Sequence, residues 1–238
     1  MFKTTKGIIL KVTQYKDRQF IANIYTRDSG IIGLIIRKTK EHIILSQPLT
    51  IAEITYRHSD NRTLFYVKEA SVEYAYSDLI FNNRKLNKAV ILCELLSQLL
   101  TEKNHEIYDF TVNSLIWLDK AQNDYTGFIN LFLMKFCKIA GIGPTSNLVD
   151  SKEACFQLNI ADGVFQRHNN KDESKQLTPK LESRIIKHLC EIEFNDLQNQ
   201  KTSSELHDSV FNYIINYISV HLSNIKSIKS LKIIKELM

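Results

Sequence analysis

The sequence predicts an α+β fold: a five-stranded β-barrel at the N-terminus, then an α-helical domain with a small β-hairpin insertion. Three observations carry this. Short apolar segments punctuated by turn residues fill the first 76 positions, and the apolar period then becomes helical until the C-terminus. A second hairpin pattern, "CFQLNIADGVFQ", interrupts the helices at Cys155 to Gln166. The predicted boundaries are 1–76 for the barrel and 77–238 for the helical domain, with the insertion at about 151–176.

The strands follow in order. Gly7 to Val12 and Gln19 to Tyr25 are the first two. "TRDSG", Thr26 to Gly30, is a turn, because Asp and Ser offer local hydrogen bonds and Gly can take positive φ. Ile31 to Ile36 completes that hairpin, and Leu49 to Tyr56 follows a loop containing Pro48. "SDNR", Ser59 to Arg62, turns the chain into a fifth strand, Leu64 to Tyr74. Five such strands fit a small barrel or sandwich, and the five-stranded barrel is the oligonucleotide/oligosaccharide-binding (OB) architecture.

Beyond Tyr76, Leu86, Ala89, Val90, Cys93, Leu96 and Leu100 keep helical spacing. Further helices are predicted over Ile107 to Leu118 and over Phe128 to Ile139, the latter almost apolar all round and therefore central. "GIGP" at Gly141 to Pro144 stops it. Asn169 to Gln176 is polar enough for a loop. Thr178 is the expected N-cap of the next helix, with Pro179 at its first position and Glu182 near the capping-box place. A long helix spans Ser203 to Ser223, and the end "IKSIKSLKIIKEL" reads as a lysine-bearing amphipathic helix.

Composition narrows the function classes. The chain has 238 residues, 44% hydrophobic and 24% charged, with few Gly and Pro. That is an ordinary globular make-up with little room for long flexible linkers. No apolar run reaches the roughly 18 residues of a membrane span, and the N-terminus lacks a signal-peptide pattern, so a cytoplasmic protein is expected. The cysteines Cys93, Cys137, Cys155 and Cys190 have neither zinc-knuckle spacing nor a compact disulfide framework. Phosphate-loop, nucleophile-elbow and zinc-protease signatures are missing, and "GIGP" follows a helix, unlike a dinucleotide fingerprint. On a helix, His188 and Glu191 of "HLCEIE" share a face that Cys190 does not, so no metal is assigned. No catalytic residue, cofactor or metal site is predicted.

Charge is the informative feature. Residues 1–76 carry twelve Lys/Arg and seven Asp/Glu, the whole of the formal +5, whereas the remainder is balanced. That asymmetry points to a polyanion or an acidic partner. Single-stranded nucleic acid asks for a positive groove with aromatic faces. The candidate contacts are Lys6, Lys11, Arg37, Lys38, Lys40, Arg57 and Arg62, with Tyr25 and Tyr56 as stacking faces. "RKTK", Arg37 to Lys40, is the densest cluster, at the end of the third strand. Half of the aromatics must face the core, because side chains alternate along a strand. An interaction scaffold that presents the same basic face to an acidic protein, without binding DNA, remains an alternative.

The ordered set of segments resembles the RecO recombination-mediator family. "TKGIILKVTQYKDRQFIANIYTRDSG" is similar to the family's opening, and "LSQPLTIAEITY" to its following strand. "NSLIWLD", "FLMKFCKIAGIGP", "LNIADGVF" and "KSLKIIKEL" sit where comparable stretches occur. The resemblance implies an OB-fold ahead of a helical domain and a non-enzymatic role in RecF-pathway DNA repair, in the bacterial cytoplasm at the nucleoid. It implies binding of single- and double-stranded DNA, strand annealing, and capture of the acidic C-terminal tail of single-stranded-DNA-binding protein. With RecR, such proteins help load RecA onto coated strands. DNA contact is carried to Arg37, Lys38 and Lys40, which fall in the family's basic barrel loop, and Lys226 and Lys229 are candidates for the acidic-peptide pocket. Many members hold zinc with four cysteines in the insertion; here Cys155 stands there alone, so the zinc is expected to be absent.

Overall fold

The computed structural model describes residues 1–100, 102–122, 125–146, 156–167, 177–199, 203–222, 225 and 228–230. The chain forms two compact units, one of residues 1–120 with 226–238 and one of residues 121–225.

The first unit is built on a closed barrel of β1 (Phe2–Lys16), β2 (Gln19–Thr26), β3 (Gly30–Arg37), β4 (Ile51–Arg57) and β5 (Leu64–Tyr74), in the order β1-β2-β3-β5-β4. The first strand is longer than its apolar stretch, because its two halves serve different partners. Phe2 to Ile8 pairs with β4, and Gly7 to Lys16 pairs with β2. A register shift between Ile9 and Lys11 lets the strand bend from one neighbour to the other. Gly30 takes φ +67° at the β2–β3 turn, and a Cβ there would lie 2.8 Å from the Lys103 backbone nitrogen, so only glycine fits.

Alternation fills the barrel with Phe20, Ala22, Ile24, Leu34, Ile36, Ile54, Tyr56 and Phe65. Among the described residues the α-helices of this unit are α1 (Asn83–Leu99) and α2 (His105–Lys120). The Asn82 side chain caps α1 by accepting from the Arg84 and Lys85 N–H groups. Asp119 at the end of α2 anchors the chain leaving the barrel. Its carboxylate accepts from the N–H groups of Ser77, Asp78 and Leu79 and from the Tyr74 hydroxyl at 2.8 Å. Burial pushes this carboxyl up, but the donors outweigh burial and hold it well below the usual carboxylate range. The buried Lys85 ammonium donates to the Asp119 carbonyl and pairs with Asp78, both at 2.7 Å.

The second unit packs α3 (Phe128–Ile139), α4 (Lys180–Glu191) and α5 (Ser204–His221) around the α3 rings Phe128, Phe132 and Phe136. Its small sheet has the order β6 (Thr145–Ser146), β8 (Val164–Arg167), β7 (Phe156–Asn159). The β7–β8 hairpin is the one read around "ADG", turning at Gly163 with φ +69°. Thr178 is not the cap of α4. It is fully buried, Pro179 occupies the cap position, and no side-chain cap bond forms there. Glu182 instead accepts from the Ser209 hydroxyl of α5 at 2.7 Å. Cys155, Lys226 and the loop expected at Asn169 to Gln176 lie outside the described residues.

Candidate nucleic-acid interface

Strand pairing decides which cations meet. Arg37 ends β3 opposite Gln19, and Gln19 pairs with Lys16 across the β1–β2 turn. The Lys38 N–H donates to the Arg18 carbonyl at 2.9 Å. Lys16, Arg18, Arg37 and Lys38 therefore share one end of the barrel and are all exposed, with Lys40 exposed on the loop that leaves it. Lys16 and Arg18 were not among the sequence candidates. Their signal was the two-residue turn Asp17-Arg18, which an antiparallel β2 must place beside the end of β3.

Beside this end runs an outward-facing row set by register: Thr13, Ile21, Ile35, Tyr66, Arg57 and Phe2, on adjacent strands. Tyr66 is 41% exposed and Phe2 55%. The Lys68 ammonium lies over the Phe2 ring, 5.2 Å from its centroid. Lys11 is exposed in the neighbouring row, opposite Asn23. This face combines aromatic surface with flanking cations, the combination that accommodates stacked bases and phosphates.

Other candidates are placed elsewhere. Tyr25 and Tyr56 offer no free ring face, being 0% and 1% exposed. Tyr25 packs on Tyr108 of α2 and donates to the Asn104 carbonyl at 3.1 Å, and burial pushes its phenol up. Tyr56 points into the barrel against Phe65. Parity explains Tyr56, on the inward side of β4, whereas Tyr25 faces outward and is covered by α2. Among the described residues of the barrel, the exposed rings are Phe2, Tyr15 and Tyr66. Lys6 is paired with Glu73 in an acidic setting, and that bond holds its ammonium above the ordinary lysine value. Arg62 sits in the β4–β5 turn, two residues before Leu64. Leu64 pairs with Gly33, four residues along β3 from Arg37, or roughly 13 Å.

Lys229 belongs to the first unit. Its N–H donates to Glu94 of α1 at 2.9 Å, and the Ser230 N–H and hydroxyl donate to the same carboxylate. The second unit has a cavity of about 370 Å³, lined by Met134, Lys135, Lys138, Pro144 and Cys190 among others. Lys135 pairs with Glu193, and Lys138 is exposed. Burial pushes the Cys190 thiol up to about 12, so it lines the cavity as an apolar group rather than a nucleophile.

A closed five-stranded barrel with cations at one end, followed by helices and a small sheet, defines an OB-fold protein with a helical extension. The family model described as recombination protein O N terminal matches residues 1–76, and the one described as recombination protein O C terminal matches residues 84–232. The chain belongs to the RecO family. It is 29% identical over 254 aligned residues to a Phocaeicola vulgatus protein named DNA repair protein RecO, covering 100% of this chain and 99% of that one. Proteins of the same name from Flavobacterium psychrophilum and Bacteroides fragilis are 25% and 24% identical, over 98% and 100% of this chain and 97% and 99% of theirs. Among the described residues no helix is long and apolar enough to cross a membrane.

Proposed function

We propose that this protein is a non-enzymatic DNA-binding mediator of recombinational repair, working in the bacterial cytoplasm at the nucleoid. The supporting observation is the meeting of Lys16, Arg18, Arg37 and Lys38 at one barrel end, beside the exposed Tyr66. Phosphates of single- or double-stranded DNA engage the cations, and unstacked bases lie on the Tyr66 ring. Two strands held on one cationic surface meet at raised effective concentration, which is the physical basis of annealing. Residues 1–76 form the DNA-binding domain in this reading, and 77–238 the helical domain with its insertion at about 151–176.

The cavity of the second unit takes the acidic C-terminal tail of single-stranded-DNA-binding protein. Its carboxylates meet Lys138 and Lys135, the latter released from Glu193, and an apolar side chain enters between Met134 and Pro144. Tail capture brings the protein to coated strands, where with RecR it helps RecA load. Fluorescence anisotropy of a labelled single-stranded oligonucleotide tests the DNA step. Arg37→Glu/Lys38→Glu should lose at least tenfold in affinity and fail to anneal complementary strands, with its thermal midpoint unchanged. Undiminished binding by the variant would refute the placement.

A further inference from the structure

The barrel has a second face of opposite sign. A cleft of about 590 Å³ lies between the outer surface of β1, β4 and β5 and helix α2. Four carboxylates line it, Asp28, Glu53, Glu73 and Asp109, against two cations, Lys6 and Arg27. Three of the seven acids of residues 1–76 are thus gathered here, although that stretch is basic as a whole.

Both cations are already used. Lys6 pairs with Glu73, and Arg27 forks onto Asp109 through Nε and Nη2, each at 2.9 Å. Asp28 accepts from the Thr5 hydroxyl at 3.1 Å and keeps its second oxygen 3.7 Å from His105. Glu53 is exposed and forms no ion pair or hydrogen bond among the described residues.

An independent observation also points to a ligand. Tyr108 is 3% exposed and lines the cleft, and its hydroxyl has no hydrogen-bond partner among the described residues. Burial first, and then the neighbouring Glu73 and Asp109 carboxylates, push that phenol up. The ring is buried and the hydroxyl faces the cleft among carboxylates, where its oxygen has acceptor capacity to spare.

We propose that this cleft is a docking site for an arginine- or lysine-bearing segment of a partner protein, whose cationic head pairs with Glu53 and Asp28 and donates to the Tyr108 hydroxyl. The chemistry favours a side chain over a bare metal ion. Glu73 and Asp109 already hold an ammonium and a guanidinium, and a hard cation needs six or more oxygens free to close around it. Val112 supplies apolar wall for the aliphatic stem that a long cationic side chain lays down. The net negative lining repels phosphate. The cleft residues Arg27 and Asp28 follow the end of β2, whereas Arg18 and Gln19 stand at its start. Eight strand residues, roughly 25 Å, separate the two, so a cationic protein segment and DNA can occupy the barrel together.

The test uses the full chain and a labelled Gly-Arg-Gly-Arg-Gly peptide, with Gly-Glu-Gly-Glu-Gly as its counterpart. The arginine peptide should bind and the glutamate peptide should not. Glu53→Gln should weaken arginine-peptide binding at least fivefold and Tyr108→Phe about threefold, with thermal midpoints confirming both folds. Oligonucleotide affinity in the same variants should stay within twofold, so failure here is separable from failure of the DNA reading. Equal binding by wild type and both variants would overturn the proposal. So would displacement of the peptide by DNA, or self-association that Glu53→Gln abolishes, which would assign the cleft to a second copy of this chain.

Discussion

The Lys38 N–H donates to the Arg18 carbonyl at 2.9 Å, tying the loop after β3 to the turn between β1 and β2. This backbone bond fixes two basic segments, nineteen positions apart at their nearest, as one charged rim. It also makes the rim a property of the hairpin geometry rather than of the "RKTK" cluster alone.

Arg18 should therefore matter as much as Arg37. Removing one phosphate contact at about 0.1 M salt costs about fivefold in single-strand affinity, since each contact contributes about 0.7 to the log–log salt slope. Arg18→Gln and Arg37→Gln are each expected to lose about that much by anisotropy, and Arg62→Gln less than twofold.

The aromatic residues divide by function. Tyr66→Ala is expected to weaken oligonucleotide binding by about 1–3 kcal/mol, the range for one base stacked on a ring, with little change in thermal stability. Tyr56→Ala should do the reverse, destabilising the barrel by about 3–5 kcal/mol through the cavity it opens beside Phe65. Chemical denaturation alongside binding separates the two.

Much of this was legible in the sequence, and the exceptions have physical causes. The β2–β3 hairpin followed from "TRDSG", and α3 from a nearly all-apolar stretch that the "GIGP" segment stops. Tyr25 and Tyr56 were misjudged because burial depends on which side of the sheet a residue faces and on what packs there. Tyr25 is outward on β2, yet α2 covers it, a contact 83 residues away in sequence. Arg18 was missed because its neighbours come from strand pairing, not chain proximity. Thr178 had the composition of a cap, but the chain enters α4 one residue later.

Asp119 gives the fold a pH dependence with a definite sign. Its folded carboxyl titrates below its unfolded value, so the stability it contributes is present above about pH 4 and is lost as pH falls through the lower, folded value. Wild-type stability should decline below about pH 4. Asp119→Asn should destabilise the protein by about 3 kcal/mol at neutral pH, since an amide sets a donor among the Ser77, Asp78 and Leu79 N–H groups. The variant should also show a flatter acid limb in urea titrations.

Lys138 tests the peptide cavity without touching the barrel. Lys138→Glu is expected to lower affinity for an acidic C-terminal peptide at least tenfold and to leave oligonucleotide affinity within twofold, as read by anisotropy with each probe. Loss of both together would place the peptide and DNA on one surface.

The central claim is that the barrel rim binds phosphate backbone electrostatically, and a salt titration addresses it most directly. Single-strand affinity of the wild type should fall with a log–log slope near −3, as about four neutralised phosphates require. Arg37→Gln/Lys38→Gln should flatten that slope by about 1.4. A wild-type slope near zero, or a double variant that keeps the full slope, would contradict the account.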